Sequence, residues 1–184
     1  MLRLGFAPLL ALALSLGATL AQDALEKSCS LSKYRFLLPH ELKAVRRMRD
    51  HFNDIMAPSH RNCHTTLFHR RWSAAKLSMP DRVTLVEAEL DLATTVLELP
   101  TAPSFTETHH RPLAFLTQAQ KDLKRCMAAE APSHQPSGKL RHWLQRLEED
   151  KKTKTAGCLE ASAIIHIFQV LDDLRCAARR EQCT

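Results

Sequence analysis

The stretch Leu159-Glu160-Ala161-Ser162-Ala163-Ile164-Ile165-His166-Ile167-Phe168-Gln169-Val170-Leu171-Asp172-Asp173-Leu174-Arg175-Cys176-Ala177-Ala178 sets the fold class. Its spacing predicts a helix from Leu159 to about Ala178, with Ile164, Ile165, Ile167, Phe168, Val170, Leu171 and Leu174 covering more than one face. A helix apolar on two sides is either central in a bundle or offers its second face to a partner. Burying a Leu- or Phe-sized side chain is worth about 1.5–3 kcal/mol, so leaving several exposed needs a reason. For Ile165 and Phe168 both readings stay open until the packing is known.

Working outward, Leu140, Trp143, Leu144 and Leu147 form one apolar stripe of a shorter helix, and 151–157 reads as a polar linker. The Pro- and Ser-rich run at 131–138 is a loop by composition. A helix is predicted from Pro112 to about Met127, with Leu113, Leu116, Gln120, Leu123 and Met127 in register. Asp81 is the expected N-cap of another, reaching about Leu99 through Val83, Val86, Leu90, Ala93 and Leu97 before Pro100 and Pro103. The first helix opens at Pro39, with Glu41 beside its positive end, and runs through Leu42, Val45, Phe52 and Ile55 to a stop at Pro58. Between these two, residues 57–80 form a long irregular connection holding Cys63, Phe68 and Trp72, and a loop of that length is functional or pinned. Gly is scarce and no alternating pattern is sustained, so the fold class is all-α: a helical bundle with long loops.

The N-terminus is a processing signal. Arg3 is the only charge before Asp23, Leu4 to Leu16 is almost wholly apolar, and small residues precede the Ala21/Gln22 bond. That is the pattern of a secretory signal peptide over 1–21, leaving a helical domain at 22–184. A membrane anchor fits less well, because a span needs about 20 apolar residues. In an oxidising compartment the six cysteines, Cys29, Cys63, Cys126, Cys158, Cys176 and Cys183, form three disulfides by default. Six cysteines allow fifteen pairings, and spacing alone does not choose among them.

A formal charge of +6 and a pI near 9.2 suggest a polyanion partner. The cations come in short groups (Arg46-Arg47, Arg70-Arg71, Lys151-Lys152, Arg179-Arg180) with acids between, and no stacking signature accompanies them. Nucleic acid is therefore set aside in favour of a solvated surface with some affinity for acidic cell-surface polysaccharide. Nothing catalytic emerges: there is no nucleophile elbow, phosphate-binding Gly loop or HExxH. His60, Cys63, His64 and His69 crowd one loop but match no zinc spacing. Glu87 and Glu89, two apart on a helix, point to different faces. No cofactor or metal is expected.

Several segments, taken in order, resemble the type III (lambda) interferon family. Leu140-Arg141-His142-Trp143-Leu144-Gln145-Arg146-Leu147 followed by Ala156-Gly157-Cys158-Leu159-Glu160-Ala161-Ser162 is the most specific. Glu87-Ala88-Glu89-Leu90, Pro39-His40-Glu41-Leu42 with Arg49-Asp50, and Arg111-Pro112-Leu113 leading to Cys126 are similar to family helices. The resemblance implies an interleukin-10-like class II cytokine bundle with bridges Cys29–Cys126, Cys63–Cys158 and Cys176–Cys183, the last found only in some members. It implies a secreted antiviral monomer that pairs the lambda-interferon receptor subunit with the interleukin-10 receptor beta subunit and so activates JAK–STAT signalling. Carried over by residue, the specific-receptor contacts are Pro39, Leu42, Arg49, Trp72, Ile165 and Phe168. Trp72 reads equally as a plug under the long loop, Arg49 as a surface ion-pair partner, and Pro39 and Leu42 as helix start and core.

The chain departs from the family pattern at Ile165, where relatives often carry an aromatic, and at 171–174, which is one residue shorter. No Asn-x-Ser/Thr sequon is present. Two other readings compete: a different class II cytokine, either a type I interferon or an interleukin-10 relative, and a cationic secreted protein that binds glycosaminoglycan.

Overall fold

Pro39 opens helix α1 (Pro39–Ile55), its fixed φ suited to a first turn that has no need of its missing N–H. Val45, Met48 and Phe52 follow at three- and four-residue steps and are buried. The computed structural model describes residues 30–56, 63, 67–101, 105–130, 132–179 and 183. The expected signal peptide and Cys29 lie outside these residues. The other helices are α2 (Met79–Glu98), α3 (Thr106–Glu130), α4 (Gly138–Thr153), α5 (Ala156–Ile165) and α6 (Ile167–Ala178), with short 3₁₀ turns at Ser32–Tyr34 and Ala74–Lys76.

Helix α2 is the hub, packing against α3, α4, α5 and α6, while α1 packs on α3 and α5. That is why its buried positions run round the whole helix, from Val83, Leu85 and Val86 through Glu89 and Leu90 to Leu92, Ala93, Thr94 and Leu97. Trp143 of α4 closes the core beneath the long connection, with its indole Nε1–H donating to the Leu67 carbonyl at 2.9 Å. Arg82 is buried and donates from Nε to Leu77 O (3.0 Å) and from Nη2 to Ala75 O (3.1 Å), tying the end of that connection to α2. Cys63 and Cys158 are disulfide-bonded with Cα atoms 5.5 Å apart, which fastens the start of the connection to α5. Cys176 and Cys183 form a second disulfide, and Cys126 is also oxidised.

Four local expectations need correcting. The N-cap of α2 is Ser78, whose Oγ accepts from Asp81 N at 3.4 Å, with Met79 and Pro80 filling the first turn. Asp81 turns elsewhere, accepting from His134 Nε2 (2.9 Å) and Ser137 N (3.2 Å), so it clasps the 132–137 loop. Burial pushes its carboxyl up, but these hydrogen bonds outweigh that and hold it below the usual carboxylate range. Helix α3 begins at Thr106, and Pro112 lies inside it. Phe105 packs edge-on to Phe52 (5.4 Å) and His51 Nδ1 sits 2.9 Å from Thr108 Oγ1, contacts that fix the turns ahead of the proline despite its missing donor. The polar linker at 151–157 is almost wholly helical, with Lys151 bonded to Asp91 Oδ2 (2.9 Å) and Thr155 Oγ1 capping α5 through Cys158 N (3.3 Å).

The fourth correction concerns the last helix, which breaks at His166 (φ −93°, ψ 8°) into α5 and α6. His166 Nδ1 lies 2.9 Å from the Ser162 carbonyl, which only accepts, so the proton sits on Nδ1. The ring thereby competes for a ladder acceptor, and it stacks on Phe68 of the long connection with centroids 5.2 Å apart. A side chain inserted into the ladder is a recognised cause of a kink. The central-helix reading holds for most of this apolar stretch. Ile164, Ile167, Val170, Leu171 and Leu174 are core, whereas Ile165 is 46% exposed and Phe168 is half-buried.

Candidate functional site

On a helix turning about 100° per residue, Pro39, Leu42 and Arg49 fall along one side of α1. Pro39 is exposed at the helix start and Leu42 is half-buried against the core. The Arg49 guanidinium lies 4.8 Å from the centroid of the Phe168 ring, joining α1 to the first turn of α6. Asp50 Oδ1 accepts from Arg49 Nη2 (3.0 Å) and Nε (3.3 Å), which fixes the guanidinium plane over the ring. At a partly exposed site such a contact is worth about 0.5–1 kcal/mol. Ile165, the last residue of α5, stands beside the break that leads into this turn.

Trp72 belongs to a different group. It is half-buried against the core, with Arg70 Cζ 5.1 Å and Lys139 Nζ 5.9 Å from its ring centre. Arg70, grouped by its sequence with surface cations, is buried. Its Nη2 bridges Glu89 Oε1 (3.1 Å) and Asp173 Oδ2, with only 4% of the Arg70 side chain exposed and none of Glu89's. Two carboxylates thus share one cation where water cannot reach. Burial and the nearby Asp173 charge push Glu89 well above the usual carboxylate range, against the pull of the Arg70 charge. Asp173 is raised too, burial outweighing its partner Arg70. The bridging of Glu89 and Asp173 by Arg70, across α2 and α6, needs the fold and has no local signal in the sequence.

Of the six expected residues the structure brings Arg49 and Phe168 together, with Pro39 and Leu42 on the same side of α1 as Arg49 and Ile165 beside the break before α6, while Trp72 packs with Arg70 and Lys139. Residues missed by the sequence reading adjoin them. Phe36 is 80% exposed and Leu38 56%, flanking buried Leu37 just before Pro39. Their signal was the apolar run Phe36-Leu37-Leu38 lying outside any helical period. Arg70 is the other, acting by positioning Trp72.

Cys63 is held in a disulfide, so it is no thiolate ligand; His60 and His64 lie outside the described residues. Among the described residues no group of three or more His, Cys, Asp or Glu is arranged to hold a metal ion, and no helix is long and apolar enough to cross a membrane. Among the described residues the structure is a disulfide-clamped all-α bundle built on one central helix, the architecture of the helical cytokines.

The interleukin-28A family pattern matches residues 26–180. The chain is similar to interferon lambda-3 of Gallus gallus, with 68% identity over 159 residues, covering 86% of each chain. It is 31% identical to interferon lambda-1 of Homo sapiens over 85% of this chain and 80% of the relative. With interferon lambda-2 of Mus musculus the figures are 32%, 85% and 83%. The chain belongs to the interferon lambda family of cytokines, which are not enzymes.

Proposed function

We propose that the protein is exported after loss of residues 1–21 and acts as a monomeric antiviral cytokine on two receptor chains. The lambda-interferon receptor subunit binds along α1 and α6 through Pro39, Leu42, Arg49, Ile165 and Phe168, with Trp72 contributing from the long connection. The interleukin-10 receptor beta subunit joins along α3 and α1. Pairing the two intracellular tails activates JAK kinases and STAT factors, and through them interferon-stimulated genes. No cofactor takes part.

The observation that carries this reading is the Arg49–Phe168 contact at 4.8 Å. It supports a preformed Arg–aromatic pair at the junction of two helices, half-exposed and flanked by exposed Ile165. Interface energy concentrates in such anchors, each worth about 2 kcal/mol or more on truncation. Replacing Phe168 by Ala is expected to weaken binding to the specific receptor's ectodomain by about 30-fold while the helical circular dichroism is unchanged. Unchanged affinity in a folded variant would remove Phe168 from the interface, and loss of helix signal would assign it to the core.

A further inference from the structure

The flank of α1 opposite Arg49 carries a second feature. His40, Lys43 and Arg47 recur at i, i+3 and i+7 along it and face His110 and Arg111 of α3 across an open groove that also contains Glu107. All five basic residues are exposed. The nearest acid on α1, Glu41, is already engaged by Arg111 Nη2 (3.6 Å) and His40 Nε2 (3.1 Å). Lys43 and Arg47, like several other surface cations, form no ion pair with any described residue; what sets them apart is that they share one helix flank and face two more basic side chains across the groove. Leaving unpaired like charges in a row costs repulsion that a counter-charge relieves.

We propose that this α1–α3 groove binds a linear sulfated polysaccharide of the glycosaminoglycan class, a reading that rests on the protein acting outside the cell. The two-walled row suits a chain of regularly spaced anions better than a single phosphate group, which needs only a point cluster. The groove has no Phe, Tyr or Trp in its lining to serve as a stacking platform for bases, which disfavours single-stranded nucleic acid. Arg49 and Phe168 stand on the other flank of α1, so a bound polysaccharide leaves the specific-receptor contacts open, but it occupies the α1–α3 face assigned above to the shared receptor subunit and has to leave before that subunit joins.

The test uses the secreted full-length product and immobilised heparan sulfate at about 0.15 M salt. Two double variants are compared: K43E/R47E in the groove, and R141E/K152E on the exposed surface of α4. The expected result is saturable, salt-sensitive binding that falls about tenfold or more in the groove variant and about twofold or less in the α4 variant, with circular dichroism unchanged in both. Equal losses in the two variants would mean diffuse charge and overturn the proposal, as would equal or tighter binding to single-stranded RNA or anionic vesicles. Specific-receptor binding is measured alongside. Receptor binding without heparan sulfate binding sinks the groove alone, and the reverse sinks the cytokine reading alone.

Discussion

Replacing Arg70 by Met removes the one cation that two buried carboxyls share. The Met side chain keeps much of the stem's packing, so the loss is electrostatic. Breaking a buried ion pair from one side costs about 3–5 kcal/mol, because the remaining charge is uncompensated. Here the figure belongs near 3 kcal/mol, since Arg70 Nε and Nη1 are themselves buried without partners and their removal gives something back. The deficit should also depend on pH. Without the guanidinium, Glu89 and Asp173 are raised still further above their unfolded values of about 4.3 and 3.9. An acid whose folded value is raised contributes fully below its unfolded value and loses that contribution as pH rises through the folded value. The deficit is therefore largest at pH 7 and shrinks toward pH 4. Urea denaturation followed by tryptophan fluorescence at both values measures it, with Trp72 reporting directly because Arg70 lies against its ring. The triple change R70M/E89Q/D173N, which removes every charge together, should recover most of the stability. A loss below about 1 kcal/mol for Arg70→Met, or one equal at pH 4 and pH 7, would refute the buried network as described.

Three more expectations follow from the packing. Glu89→Gln should remove the loss of stability that a raised Glu89 contributes as pH rises above about 4.5, and should leave the variant the more stable of the two at pH 8 in urea melts. Trp143→Ala should cost about 3–5 kcal/mol, since it empties a site 1% exposed and leaves the Leu67 carbonyl without its indole donor. A value under 1 kcal/mol would show that the connection above it is not part of the core. Replacing Cys63 and Cys158 together by Ser frees a loop spanning 95 residues and should cost about 4–5 kcal/mol by thermal denaturation; an unchanged midpoint would mean that the packing of Phe68 and Trp143 alone pins the connection.

The helices were legible where burial is one-sided. Val45, Met48 and Phe52 in α1, or Leu140, Trp143 and Leu147 in α4, repeat at helical spacing and are buried as that spacing requires. Boundaries were less so, because they depend on partners far away in the chain. Pro112 suits a first turn, yet Phe105 and Thr108 find Phe52 and His51 and carry α3 about two turns earlier. The break at His166 depends on Phe68, which no local pattern places beneath the imidazole. Arg70 looked like a surface cation because the acids that bury it lie on α2 and α6. At the candidate site the individual residues came from family resemblance, while the contacts of Arg49 with Phe168 and of Trp72 with Arg70 came only with the fold.

The central claim is that this surface recognises the lambda-interferon receptor subunit. Surface-plasmon-resonance binding of the oxidised, secreted chain to that subunit's ectodomain tests it most directly, with the type I interferon receptor ectodomain of the same species as control. Saturable binding to the lambda subunit alone is the predicted result, and binding to the type I receptor alone, or to neither, would contradict it.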